Sequence, residues 1–210
     1  MNYLNELEAY RERELEVYKK LNLESVNMVI NVLEEARLSG KHIFICGNGG
    51  SAATASHYCC DFNKGVSENQ EMKYNFECLN DNVPTMLALA NDIGYEEVFR
   101  HSLKVKMKPG DILIGVSGSG NSRNVVNAME YARKIGGTTI AIVGYNGGKM
   151  KEIADYNIHI NINNMQISED LHMVLDHMMM YALVHKEALE DAEVYQAVEH
   201  IPAGTGCCGF

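Results

Sequence analysis

The chain has 210 residues, 46% of them apolar, and a formal net charge of −10. That length suits one domain with a sizeable core, and that composition excludes a disordered chain. The acidic balance argues against a nucleic-acid or anionic-membrane partner, both of which need a basic patch, but leaves room for a small anionic ligand at one local site. No segment reaches the roughly 18 consecutive apolar residues of a transmembrane helix. The charged opening MNYLNELEAYRERELEVYKK lacks the apolar run of a secretory leader. Six cysteines include no CxxC pair, so a reducing cytoplasm is the expected setting, with Cys46, Cys59 and Cys78 as small buried hydrophobes.

In chain order, residues 3–38 read as a helical arm. Leu4, Leu7, Leu15, Leu21, Val26, Val29, Ile30 and Leu33 form an approximate stripe, with a plausible break near Leu21–Ser25 and a stop at Gly40. Strands and helices then alternate. Strands are expected at 41–46, 73–79, 111–117, 138–144 and 156–162. Helices are expected over about Ser51–Asn63, Tyr95–Lys106, Ser122–Lys134, a short one from Lys149, and Ile167–Leu189, while 63–71 reads as a loop. Five short apolar strands separated by helices imply an α/β, three-layer fold with a five-stranded parallel sheet. The whole chain, 1–210, reads as a single domain, with a frayed tail at 201–210.

Two strand-to-helix loops suit an anion. Gly47-Asn48-Gly49-Gly50-Ser51 lets backbone approach a ligand at a helix start, and Ser51 adds a hydroxyl. Ser117-Gly118-Ser119-Gly120-Asn121-Ser122 offers hydroxyls and amides without a lysine. Such loops on two strands of one parallel sheet point to a shared crevice. Gly47, Gly49 and Ala52 fit the relaxed dinucleotide pattern, yet the acidic residue that pattern needs is missing, because Asp81 lies too far on. Neither loop has the Gly-Lys-Ser/Thr of a P-loop. A phosphorylated small molecule is therefore favoured over a nucleotide. His57 and Asp61 are four apart and share a helix face. Glu169 and His177 are eight apart on the last helix, about 80° around its axis, with His172 between them. Histidine and carboxylate on two helices can bind a divalent metal or supply an acid/base pair.

CGNGGSAATASH, ANDIGYEEVF, DILIGVSGSGNSRNVVNAMEYAR, GGKM and SEDLHMVLDH, in this order, resemble the SIS (sugar isomerase) domain family, most closely its phosphoheptose isomerase branch. The resemblance runs over about residues 1–190. It implies the SIS fold, with the N-terminal helix used in a homotetramer, and interconversion of sedoheptulose 7-phosphate and a heptose 7-phosphate for surface polysaccharide or glycoside synthesis. It implies substrate contacts from Asn48, Gly49, Gly50, Ser51, Asn91, Asp92 and Glu169, and a phosphate cradle from Ser117, Gly118, Ser119 and Ser122. Zinc or another divalent ion would be held by His57, Asp61, Glu169 and His177, with Asp61 and His177 catalytic. Three positions depart from the family pattern. Asp61 stands for a Glu, Glu169 for a Gln, and Gly118 for a Thr, while Lys64 lies one place from a basic residue of the family. The departures leave an octulose or hexose phosphate open as substrate, and a non-catalytic sugar-phosphate-binding or assembly role as a further alternative.

Overall fold

A computed structural model describes residues 1–185, so the last part of the helix expected over Ile167–Leu189 and the tail expected at 201–210 lie outside the described residues. The arm is two helices, α1 (Leu4–Tyr18) and α2 (Leu23–Leu38). They break where the sequence weakens, and Asn22 caps α2 by accepting a hydrogen bond from the Ser25 amide. Then follow β1 (Ile43–Cys46), α3 (Gly50–Cys60), β2 (Phe76–Cys78), α4 (Val83–Asp92), α5 (Val98–Lys106), β3 (Ile112–Ser117), α6 (Arg123–Lys134), β4 (Thr138–Val143), α7 (Gly148–Ile153), β5 (Tyr156–His159) and α8 (Met165–Val184). Residues 63–66, read as loop, instead extend α3 as a wider π turn over Asp61–Val66. PTMLALA lies within α4, capped by Asn82 with Pro84 in the first turn.

The sheet is wholly parallel, in the order β2-β1-β3-β4-β5. Alternation along each strand divides the core in two. Ile43, Ile45, Ile112, Ile114, Ile140 and Ile142 face a layer with α2, α3 and α8. Phe44, Cys46, Leu113, Ala141 and Val143 face the layer of α5, α6 and α7. The buried cysteines 46, 59 and 78 are free and pack as hydrophobes. This strand order reverses direction between β1 and β3, and in such sheets ligands bind outside the carboxyl ends of the strands at the reversal. The glycine loop follows β1 and the serine loop follows β3, so the topology brings both to that point. No described helix is long and apolar enough to cross a membrane.

Candidate active site

At the crevice, the two loops are bound to each other before any ligand arrives. Asn48 and Asn124 exchange paired amide hydrogen bonds of 2.9 and 2.8 Å across the gap between the β1 and β3 loops. The Tyr95 hydroxyl donates to Asn48 Oδ1 at 2.6 Å. Asn80 clamps the glycine loop from below, accepting from the Gly47 amide and donating to its carbonyl. Gly47 has to be glycine, since a Cβ would come within 2.6 Å of the Ser51 carbonyl oxygen. The Ser117 and Ser122 hydroxyls meet at 3.1 Å, and Ser117 Oγ accepts from the Gly120 amide. Gly120 has φ +64°, and a Cβ there would lie 1.9 Å from the Gly147 carbonyl oxygen. An open cavity of about 760 Å³ is lined by Asn48, Tyr95, Ser122, Arg123 and Asn124, among others.

Asn91 and Asp92 are exposed at the carboxyl end of α4, where the Asn91 side chain donates to Asp92. Gly118, the position of the missing threonine, is overlain by Met165, whose sulfur would stand 2.5 Å from a Cβ. Lys64 is exposed and pairs with Glu68 at 3.6 Å.

The titratable residues gather further along α3. The Nε2 atoms of His57 and His177 are 3.1 Å apart. Asp61 Oδ2 lies 3.5 Å from His57 Nε2 and 3.8 Å from His177 Nε2. Asp176 Oδ2 lies 3.8 Å from His57 Nε2. One donor atom from each of these four residues lies within 4.8 Å of all the others, which is a spacing that a metal ion can bridge. The sequence argument missed Asp176, although its place beside His177 and one turn after His172 was a usable signal.

Glu169, expected in this group, is not part of it. Its carboxylate lies over Gly50, where a Cβ would come within 2.6 Å of both oxygens. The reason is helical rise. Eight residues share a face only approximately, but they separate by about 12 Å along the axis. Because α3 and α8 run side by side in the same sense, Glu169 meets the start of α3 and His177 meets its end. A carboxylate at the start of a helix is favoured by the helix dipole.

Asp176 is fully buried, and neither of its oxygens accepts a hydrogen bond among the described residues. Burial, with help from the Asp61 charge, pushes its pKa up to about 8. One turn earlier, His172 is equally buried and unpaired. Burial pushes it down to about 4, opposed weakly by the Val143 carbonyl, which does not reach hydrogen-bond geometry.

With this geometry in view, the likeness to known proteins falls into place. The SIS domain family matches residues 2–144. The chain belongs to the SIS domain family. It is 36% identical over 162 residues to the phosphoheptose isomerase of Akkermansia muciniphila, covering 77% of this chain and 85% of that one. It is 33% identical over 174 residues to the phosphoheptose isomerase of Aliarcobacter butzleri, covering 83% and 91%. In structure it resembles the phosphoheptose isomerase of Neisseria gonorrhoeae, with a TM-score of 0.80 at 24% identity over 87% of this chain and 98% of that one. These relatives make this SIS protein a sugar-phosphate isomerase.

Proposed function

We propose that the substrate pair is sedoheptulose 7-phosphate and a heptose 7-phosphate, interconverted through an enediol(ate). The observation that supports this reading is the meeting of His57, Asp61 and His177 at one end of α3, with the hydroxyl-lined crevice at the other. Seven residues of helix separate Gly50 from His57, about 10 Å. A seven-carbon chain that holds its phosphate far from C1 suits such a division.

In this reading Ser117, Ser119 and Ser122 bind the phosphate, while Asn48, held by Asn124 and Tyr95, faces the sugar chain with Gly49, Gly50 and Ser51. Asn91, Asp92 and Glu169 bound the sugar from α4 and α8. Asp61 turns Oδ2 toward both histidines, and this reading assigns its Oδ1 to the sugar. That oxygen takes the proton from C1 and returns it to C2, while His177 carries the hydroxyl proton between O2 and O1. His57, Asp61 and His177 would hold a divalent ion, and the unpaired buried carboxylate beside them fits such a charge. When bound, the ion supplies electrostatic stabilisation to the developing enediolate oxygens. His177 Nε2 serves as ligand or as acid, one at a time. The reading also places the protein in the cytoplasm and makes it a homotetramer, and the exposed Leu4, Leu7 and Leu15 of α1 and Leu87 of α4 support the self-association.

The test is incubation with sedoheptulose 7-phosphate in D₂O, following aldose formation and deuterium at C1 and C2. Exchange with this sugar is the expected result. Exchange with an octulose or hexose phosphate but not with sedoheptulose 7-phosphate would move the specificity to that sugar, with Met165 above Gly118 as the first residue to alter.

A further inference from the structure

We infer that Tyr145 is a further phosphate ligand of the serine loop, its phenol hydroxyl donating to the anion above Gly118. The inference rests on reading residues 117–122 as the phosphate cradle.

Tyr145 is the only described residue other than glycine with a left-handed backbone, at φ +43°. For a bulky side chain that conformation is strained, and it persists only where the surroundings hold it. Here both of its backbone polar groups are held. The Tyr145 amide donates to the Ile162 carbonyl at 3.1 Å. Its carbonyl lies 2.9 Å from His159 Nε2. Lys151 decides which nitrogen of that imidazole carries the proton. An ammonium can only donate, and Lys151 Nζ lies 3.0 Å from His159 Nδ1, so Nε2 is left as the donor to Tyr145. The preceding residue is tied to the serine loop itself, because the Gly144 amide donates to the Gly118 carbonyl at 2.9 Å. Residues that adopt this backbone more readily stand next door in Asn146, Gly147 and Gly148, yet a tyrosine occupies the strained place.

What the strain delivers is the position of the ring. A Cβ built on Gly118 would lie 3.9 Å from Tyr145 Cε2, beside the sulfur of Met165. Cε2 is bonded to the carbon that bears the hydroxyl, so the polar end of the ring is the end that reaches the loop. The ring is half-buried, and its hydroxyl makes no hydrogen bond among the described residues. Gly118 brings no side chain of its own, so a donor above it has to come from another element. A phosphate offers acceptor oxygens on several sides, and hydrogen bonds to an anion are among the stronger ones.

Inorganic phosphate, titrated calorimetrically into the full chain, tests this without any turnover. Tyr145→Phe keeps the ring and removes only the hydroxyl, and it should weaken phosphate binding by about tenfold. Ser119→Ala should weaken binding too, since the inference needs the serine loop to be the phosphate site. The backbone is tested apart from the ligand. Tyr145→Gly and Tyr145→Ala both lose the ring, and glycine is the more stable of the two only where φ is positive. Tyr145→Gly should therefore unfold at the higher urea concentration. Parent-like phosphate affinity in Tyr145→Phe, with weakened binding in Ser119→Ala, overturns the inference and leaves the cradle standing. A urea midpoint for Tyr145→Gly no higher than that of Tyr145→Ala does the same, because the ring is placed by that backbone. A parent chain that binds no phosphate, or a Ser119→Ala variant that binds as the parent does, overturns the inference together with the reading beneath it.

Discussion

The two ends of α3 solve opposite problems. At its amino end nearly every polar group near the crevice is already partnered. Asn48 pairs with Asn124 and Tyr95, Asn80 with Gly47, Ser117 with Ser122 and Gly120. At its carboxyl end two fully buried titratable side chains, His172 and Asp176, have no hydrogen-bond partner among the described residues. A pre-ordered end binds without the cost of ordering itself. An end with unpaired buried groups is less stable than it could be, and such violations concentrate where chemistry is done. On the proposed reading, binding and reaction are divided along one helix.

The strongest way to break this division is to change Asp61. Asp61→Asn keeps the size of the side chain but removes the proposed base, so kcat should fall by about 10²–10⁴-fold with the fold intact. Turnover within a factor of ten of the parent, measured with sedoheptulose 7-phosphate alongside circular dichroism, would place the reactive end elsewhere. Next in size is Gly120→Ala at the opposite end. The left-handed backbone and the Gly147 carbonyl 1.9 Å from the new methyl should cost about 3 kcal/mol or more in urea unfolding. A near-neutral result would mean the serine loop is not held in the conformation described.

Much of the binding end was legible in the sequence because it is local. Loops rich in glycine and serine after apolar runs declare strand, turn and helix in a few residues, and parallel pairing then places them side by side. The partners that hold those loops were not legible. Asn80, Tyr95 and Asn124 act across elements, and an asparagine has no periodicity to mark it. At the reactive end the i, i+4 relation of His57 and Asp61 was readable, but the partner from α8 depends on how two helices are shifted along each other. Angular position favoured Glu169, whereas axial rise sets Glu169 at Gly50 and brings Asp176 and His177 to His57. The π turn that begins at Asp61 was hidden for a similar reason, since π turns lack a sequence period of their own and depend on packing.

His172 sharpens the comparison through pH. Its folded pKa, about 4, lies below the unfolded value of 6.5. The unfolded chain therefore binds more protons between those limits, and the stability that depends on neutral His172 is lost as pH falls from about 6.5 to about 4. The expected loss is about 3 kcal/mol. Asp176 has the opposite sign in the metal-free protein, because its raised pKa makes stability fall as pH rises from about 4 to about 8. Comparing urea unfolding of the parent and His172→Leu at each pH isolates the histidine. Parallel curves would show that His172 is not buried in the neutral form.

The smallest effect should come from Asn124→Ala, which tests whether the binding end works by being ordered in advance. Asn124 is buried, and its amide holds Asn48 through two hydrogen bonds. Without it the Asn48 side chain retains, among the described residues, only the Tyr95 hydroxyl, which fixes one atom of the side chain but not its rotation. A single lost amide partner is worth about 1 kcal/mol, rising to about 2 if Asn48 Nδ2 is left without a replacement. That predicts a KM raised by roughly five- to thirtyfold, with kcat nearly unchanged because Asp61 and His177 are untouched. Asn124→Asp separates orientation from donation, since it keeps the acceptor for Asn48 Nδ2 and removes the donor to Asn48 Oδ1. If kcat falls more than KM rises in either variant, the Asn48–Asn124 pair acts on the reacting carbons as well as on binding, and the division along α3 is less sharp than the geometry indicates.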